Sequence, residues 1–107
     1  EDLAISHLSQ AISLDPTNPK LRLQLGILFY NLKDKEQALK LINQSLELKP
    51  NWEMPYVNLY RIYLEDKDYL KAQGNLKQAL SLISPSSDNY QKLQEELVSL
   101  TEKINEK

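Results

Sequence analysis

The chain has 107 residues, 41% hydrophobic and 26% charged with a net charge of −2, so it can build one core and is not of the disordered, highly charged kind. It has no apolar run near the roughly 18 residues of a membrane span and no basic excess, so we expect neither membrane insertion of this segment nor nucleic acid binding. With no cysteine, one histidine and two glycines, it lacks the residues for thiolate metal sites, histidine-centred catalysis and glycine-rich phosphate loops, and we predict a non-catalytic module without cofactor or metal.

Apolar residues recur every three or four positions, which predicts six helices, at 2–15, 19–32, 35–48, 52–65, 69–83 and 87–105. Asn18 followed by Pro19 is typical of a helix start, because proline lacks only an amide hydrogen that the first turn leaves unpaired. Asp34 and Asp68 stand where the next helices begin, and their carboxylates can accept from the first free backbone amides. Helices end near three prolines: Pro16, Pro50 and Pro85.

The pattern repeats along the chain with a period of about 34 residues. A shift by one period aligns a set of alanines, Ala4, Ala38 and Ala72, and aligns Pro16 with Pro50. Each unit is therefore predicted to be a pair of antiparallel helices. Small residues let two helix backbones approach, so we expect Gly26, Ala38 and Ala72 to be the contact points.

These units resemble the tetratricopeptide repeat, a helix-turn-helix of about 34 residues with the pattern W-x2-L-G-x2-Y, A-x3-F, P. The residues that carry the resemblance are Ala4, Leu8, Ala11 and Pro16; then Arg22, Leu25, Gly26, Phe29, Ala38, Ile42, Ser45 and Pro50; then Tyr56, Leu59, Tyr60, Tyr63, Ala72, Leu76, Ala79 and Pro85. The resemblance implies an all-α, right-handed superhelical solenoid. Residues 1–107 would be one domain: 2–16 the second helix of a truncated repeat, 17–50 and 51–85 full repeats, and 86–107 a capping helix.

Two positions depart from the family pattern. Tyr60 stands where the family has glycine or alanine, so we expect either a splayed second hairpin or a ring turned outwards into a groove. Gly74 lies inside a predicted helix, where it costs up to about 1 kcal/mol relative to alanine with no evident local reason.

The two ends of the chain carry apolar stripes. The last is formed by Tyr90, Leu93, Leu97, Leu100 and Ile104. We interpret it as a capping helix that packs on the preceding hairpin, because its roughly two heptads are short for a coiled-coil seam. The first helix carries Leu3, Ile5, Leu8 and Ile12 without a hairpin partner, which predicts a fragment of a larger protein and a possible homo-oligomer through this exposed helix.

Three candidates for chemistry are set aside. No serine lies in a G-x-S-x-G nucleophile elbow that could pair with His7, the one histidine, so we interpret His7 as a surface or inter-helix residue. The acidic run 65–68 lacks the glycine of a calcium loop and is interpreted as a hairpin turn. Glu95 and Glu96 are adjacent on a helix, which favours a solvated face over an acid/base pair.

The resemblance implies that the first helix of each unit lines a concave groove for a peptide or a partner helix. The groove residues carried over are Lys20, Leu23, Ile27, Tyr30, Asn31, Met54, Val57, Asn58, Arg61, Leu64 and Glu65. Tyr30 and Arg61 are the strongest anchors because aromatic and arginine side chains dominate many interfaces. For Leu23 and Leu64, inter-helix packing is as good an explanation as contact with a ligand. For Trp52, packing at the joint between two repeat units is as good an explanation as a role as an exposed binding anchor.

The family's chaperone-binding members hold a terminal carboxylate with a set of Lys, Asn and Arg residues. Leu23 and Ile27 replace two of that set here, so we do not expect a chaperone tail as the partner. We predict a protein–protein interaction scaffold. Two alternatives stay open: a soluble appendage of a larger enzyme, such as a transferase or membrane polymerase, and a self-assembly module. The abundance of lysine, asparagine and isoleucine fits a low-GC bacterial source.

Overall fold

Every regular element among residues 2–106, which the structure describes, is an α-helix, as a computed structural model of the chain shows. The predicted all-α class is therefore confirmed, and the helix bounds lie close to the predicted ones. The largest difference is at the start of the last helix, because residues 84–89 form hydrogen-bonded turns. The helices are α1 (Asp2–Leu14), α2 (Pro19–Asn31), α3 (Lys35–Leu48), α4 (Glu53–Glu65), α5 (Tyr69–Leu82) and α6 (Tyr90–Ile104).

The chain divides into two compact units, with the boundary between Asn51 and Trp52. In the first unit α2 packs along α3, and α1 contacts α2 less extensively. In the second unit α4 packs along α5, and α6 contacts α5. Each unit is thus a helical hairpin with one additional helix.

The helix starts use the predicted caps. The Asn18 side chain accepts from the Lys20 amide at 3.0 Å, with proline at the first helical position. Asp34 accepts from the Gln37 amide at 3.2 Å, and an equivalent bond of 3.3 Å joins Asp68 to the amide of Lys71. These bonds satisfy backbone donors that the first helical turn leaves free.

Both hairpin turns pass through a lysine in the left-handed region, Lys33 with φ 70° and Lys67 with φ 61°. In the first turn the Asp34 amide donates to the Phe29 carbonyl at 2.9 Å, and the Lys33 amide donates to the Tyr30 carbonyl at 3.0 Å. The second turn has the same two bonds at the corresponding positions, at 2.9 and 3.0 Å. This pair of bonds is the Schellman ending of a helix, which usually has glycine at the left-handed position.

The first hairpin closes around Gly26. A Cβ added there would lie 3.0 Å from Ile42 Cγ1 and 3.2 Å from the Ala38 carbonyl oxygen. Ala38 and Ile42 are fully buried. Ser45 is also buried, and its hydroxyl donates to the Ile42 carbonyl at 2.6 Å. The predicted close approach at Gly26 and Ala38 is therefore confirmed.

The second unit has a core to which all three of its helices contribute. The buried cluster contains Tyr60, Ala72, Leu76, Leu80, Leu93 and Leu100. The remaining members of the α6 stripe pack against this cluster: Tyr90, Leu97 and Ile104. The stripe is therefore occupied within the unit, as expected for a helix that covers a hairpin rather than for a coiled-coil seam.

Tyr60 differs from both predicted arrangements. Its side chain is 2% exposed and belongs to the core, so the expectation of an outward ring is wrong. The hairpin is not splayed, because α4 packs along α5 about as extensively as α2 does along α3. Instead the ring extends towards α6, where its hydroxyl donates to Glu96 Oε1 at 2.7 Å.

The repeat alanines of α1 do not share the burial of their counterparts. Ala4 is exposed and Ala11 is half-buried, whereas Ala38, Ala72 and Ala79 are fully buried. Of the predicted apolar face of α1, Leu3 is exposed, and the other three residues, Ile5, Leu8 and Ile12, are half-buried. The repeat position of an alanine therefore does not by itself make a helix contact.

Candidate functional site

The predicted binding residues of α2 differ in accessibility. Lys20 and Asn31 are exposed, and Ile27 and Tyr30 are half-buried. Leu23 is only 4% exposed and has almost no surface to offer a ligand. The accessible part of this face therefore combines an aromatic ring and part of an aliphatic side chain with an ammonium and an amide.

On α4, three of the six predicted residues are exposed: Met54, Arg61 and Glu65. Val57 and Leu64 are half-buried and pack against the core of the second unit. The Asn58 amide group donates to the Met54 carbonyl at 2.9 Å, so part of its hydrogen-bonding capacity is used within the helix. Trp52 is the half-buried residue immediately before α4, without a side-chain capping bond.

The second unit also carries two clefts that the sequence did not predict. The first, which we call the α4–α6 cleft, has a volume of about 190 Å³ and is lined by Tyr60, Leu64, Glu96, Ser99, Leu100 and Lys103. The second, which we call the turn cleft, has a volume of about 460 Å³ and is lined by Lys67, Asp68, Tyr69, Leu70, Lys103 and Ile104. Only Leu64 was among the predicted binding residues. The available signal was the position of Lys103 between Leu100 and Ile104 of the α6 stripe, which places it on the edge of the packed face.

The wall of the α4–α6 cleft contains the long-range hydrogen bond between Tyr60 and Glu96. Burial raises the pKa of the Tyr60 hydroxyl, and the hydrogen bond and negative charge of Glu96 raise the pKa further, against a smaller opposing influence of Arg61. Tyr60 therefore stays protonated at neutral pH and donates to Glu96. The expectation of a solvated face is wrong for Glu96, which is half-buried, but Glu95 is exposed and accepts from Gln91 at 3.2 Å.

Two lysines of this unit lie over aromatic rings. The Lys103 ammonium is 5.4 Å from the centre of the Tyr69 ring, and the Lys71 ammonium is 5.4 Å from the centre of the Tyr63 ring. Lys71 also lies 3.9 Å from Asp68, a pair exposed enough that it contributes little to stability. The ring contacts hold both ammonium groups close to the protein surface.

The candidates for chemistry that the sequence set aside occupy structural positions. His7 is exposed on α1, and the acidic run 65–68 covers the last residue of α4 and the turn that leads to α5. Across residues 2–106, no three His, Asp or Glu side chains come together as a group that could hold a metal ion.

None of the helices that the structure describes combines the length and apolar character needed to cross a membrane.

Two helical hairpins whose second helices begin at an aspartate cap and whose turns pass through a left-handed lysine, one repeat period apart, define an α-helical repeat protein. A family model described as Tetratricopeptide repeat matches residues 2–60, and the chain belongs to that family. Domains of this family are generally non-catalytic scaffolds for protein–protein interaction. No curated protein matches the chain.

Proposed function

We propose that this protein binds a peptide segment or a helix of a partner protein, without covalent chemistry, through the exposed faces of α2 and α4. The observation that carries the proposal is that each first helix keeps a mixed aromatic or apolar and polar face outside the core of its own unit. On α2 this face has Tyr30 and Asn31, and on α4 it has Met54 and Arg61. Membership of the tetratricopeptide repeat family supports the same role.

The proposal assigns most of the binding energy to Tyr30 and Arg61. Arginine and tyrosine side chains supply large contact areas and dominate many interfaces. Leu23 and Leu64 serve mainly packing, since the first is buried and the second contacts the core. The mixture of apolar and polar groups suits an extended segment or an amphipathic helix.

We further propose the division into repeats that the sequence predicts. Residues 17–50 and 51–85 would be the full repeats, with 2–16 as the second helix of a truncated repeat and 86–107 as a capping helix. The bounds of α2 to α5 within these ranges and the packing of the α6 stripe support this division.

The test is to identify the polypeptides that the immobilised chain retains from a lysate of its source, by quantitative mass spectrometry. Tyr30→Ala and Arg61→Ala should each lower the retention of a specific partner at least tenfold. The matched controls are Lys40→Ala and Lys77→Ala, which change exposed residues of the second helices α3 and α5. Circular dichroism would verify that all four variants keep their helical content.

A partner retained equally by wild type and both first-helix variants would contradict the assignment to α2 and α4. Retention that falls equally in the two control variants would contradict it as well, because the loss would then not depend on the first helices.

A second candidate function is self-assembly through α1. None of the described residues of α1 is buried, and Leu3 and Leu14 are 67% and 87% exposed. Association would cover this apolar surface, which is unfavourable in water. Sedimentation velocity should then show a concentration-dependent oligomer that the double substitution Leu3→Gln with Leu14→Gln converts to monomer, and a wild-type monomer at high concentration would contradict it.

A further inference from the structure

The two clefts of the second unit meet at Lys103, which lines both of them. On one side of this lysine lies an apolar wall formed by Tyr60, Leu64 and Leu100. On the other side lies a second apolar wall formed by Tyr69, Leu70 and Ile104. We call Lys103 and these two walls together the Lys103 surface.

Leu70 is the most accessible apolar residue of the Lys103 surface. Its side chain is 69% exposed, although it stands in the first turn of a helix that buries Ala72, Leu76, Ala79 and Leu80. The core of the unit does not include it. Its exposure therefore adds apolar area to the turn cleft at no cost to the packing of the unit.

The carboxylates that line the two clefts are already engaged by groups of the unit itself. Glu96 accepts the hydrogen bond from the Tyr60 hydroxyl. Asp68 accepts from the backbone amide of Lys71 and lies 3.9 Å from its ammonium. The negative charge in the walls is thus partly compensated internally.

The Lys103 ammonium is engaged differently from these carboxylates. Within residues 2–106 the partner of its ammonium is the face of the Tyr69 ring, which is a weaker partner than a carboxylate. It therefore keeps hydrogen-bond donors for a ligand at the point where the two clefts join. The arrangement places this positive charge between two apolar walls, and Lys67 also lines the turn cleft.

We propose that the Lys103 surface binds an extended peptide segment of a partner protein in which a carboxylate lies between two apolar side chains. The carboxylate would pair with Lys103, and one apolar side chain would enter each cleft. This inference rests on the proposed interaction function but assigns it a further surface and a partner chemistry.

The extended conformation follows from the succession of the three subsites. Because the clefts share Lys103 as a wall, the subsites are immediate neighbours. In an extended chain the side chains at positions i, i+2 and i+4 point to one side, about 7 Å apart. The expected motif is therefore leucine or another apolar residue, any residue, glutamate or aspartate, any residue, and a second apolar residue.

The probe is an acetylated, fluorescein-labelled nonapeptide of sequence Ser-Ser-Leu-Ser-Glu-Ser-Leu-Ser-Ser, compared with analogues that carry Gln or Lys at the centre. Binding to the whole chain is measured by fluorescence anisotropy. We expect the Glu peptide to bind at least tenfold more tightly than the Gln peptide, and the Lys peptide to bind most weakly. Replacing both leucines by serine should weaken the binding at least tenfold.

Matched variants separate the charge from the helix that bears it. Lys103→Gln should abolish the preference for Glu over Gln, whereas Lys92→Gln, an exposed lysine of α6 outside both clefts, should keep it. Leu70→Ser should weaken the binding of the Glu peptide about tenfold. Its control is Val98→Ser, which changes an apolar residue that is 53% exposed and lines neither cleft.

Equal binding of the Glu and Gln peptides, or no binding of any peptide, would overturn the proposal. So would a preference for Glu that Arg61→Ala removes and Lys103→Gln does not. In each case the proposed function is judged separately, by whether Tyr30→Ala and Arg61→Ala reduce retention of a partner from the lysate.

Discussion

Gly26 and Tyr60 occupy the same position of successive repeats, yet the two hairpins use them in opposite ways. At Gly26 the absence of a side chain lets α3 approach so closely that an added Cβ would lie 3.0 Å from Ile42. At Tyr60 a large ring is 2% exposed within the core of its unit. The fully buried alanine of the following helix, Ala38 or Ala72, is common to both hairpins.

The difference shows that the hairpin needs one small residue rather than two. With Ala72 in place, α4 and α5 still pack along each other, and the Tyr60 ring leaves the hairpin in the direction of α6. There the ring lies in one cluster with Leu93 and Leu100, and its hydroxyl donates a hydrogen bond to Glu96. A residue that violates the family pattern inside one hairpin thus becomes the link to the next helix.

The largest expected effect is the removal of the Tyr60 ring. Tyr60→Ala should lower the free energy of unfolding by about 3–5 kcal/mol, the cost of deleting a buried aromatic side chain. Urea unfolding followed by circular dichroism measures it. Tyr30→Ala is the control, since that ring is half-buried and should cost clearly less. Equal losses in the two variants would contradict the central role of Tyr60 in the second unit.

The next effect tests the small residue that both hairpins share. Ala38→Leu should destabilise the chain by about 1–3 kcal/mol, because it overpacks the contact with Gly26. The same substitution at the corresponding repeat position of α1, Ala4→Leu, should be nearly neutral because Ala4 is exposed. Thermal melting distinguishes them. An Ala38→Leu variant as stable as the wild type would contradict this, because α2 and α3 would then accommodate a larger side chain between them without cost.

The burial of the Tyr60 hydroxyl and its hydrogen bond to Glu96 predict that stability depends on pH. Because the pKa of Tyr60 is raised on folding, its protonated form stabilises the chain below pH 10, and this contribution is lost progressively at higher pH. The loss should reach up to about 1.4 kcal/mol for each pH unit above 10. Urea unfolding at pH 9 and 11 should show a steeper loss for the wild type than for Tyr60→Phe, and equal slopes would contradict it.

The two glycines should respond to alanine with opposite signs. Gly74→Ala should stabilise the chain by up to about 1 kcal/mol, because a Cβ there meets nothing within 4 Å and alanine favours the helix. Gly26→Ala should destabilise it, because the new Cβ presses on Ile42 and the Ala38 carbonyl. Melting temperatures of the two variants suffice, and a shift of the same sign in both would contradict the contrast.

The smallest effect concerns the turns, in which the two hairpins agree. Lys33→Gly and Lys67→Gly should each stabilise the chain by about 0.5–1 kcal/mol, since glycine adopts the left-handed conformation without strain but loses more backbone entropy on folding. Lys77→Gly is the control, because the same change inside α5 should destabilise by about 1 kcal/mol. A loss of stability in both turn variants would mean that the lysine side chains have contacts of their own there.

Local sequence was sufficient for the six helices and, except at the start of α6, for their approximate ends. Asn18, Asp34 and Asp68 were correctly predicted as caps, because a capping side chain acts on amides two or three residues away. The contact at Gly26 and Ala38 was also predictable, since the repeat places both residues on facing helices of one hairpin. The residues proposed for partner binding on α2 and α4 stay predictions that rest on the family resemblance.

The sequence by itself therefore determined the helices, their caps, the hairpin turns and the family, because all of these depend on residues close together in the chain or on a regular period. Only the tertiary structure decided the direction of the Tyr60 ring, the burial of Glu96 and the position of Lys103 between two clefts. These depend on where α6 lies against α4 and α5, and the side chains involved are far apart in the sequence. No local sequence pattern encodes contacts between such distant side chains, because these contacts follow from the packing of the whole unit.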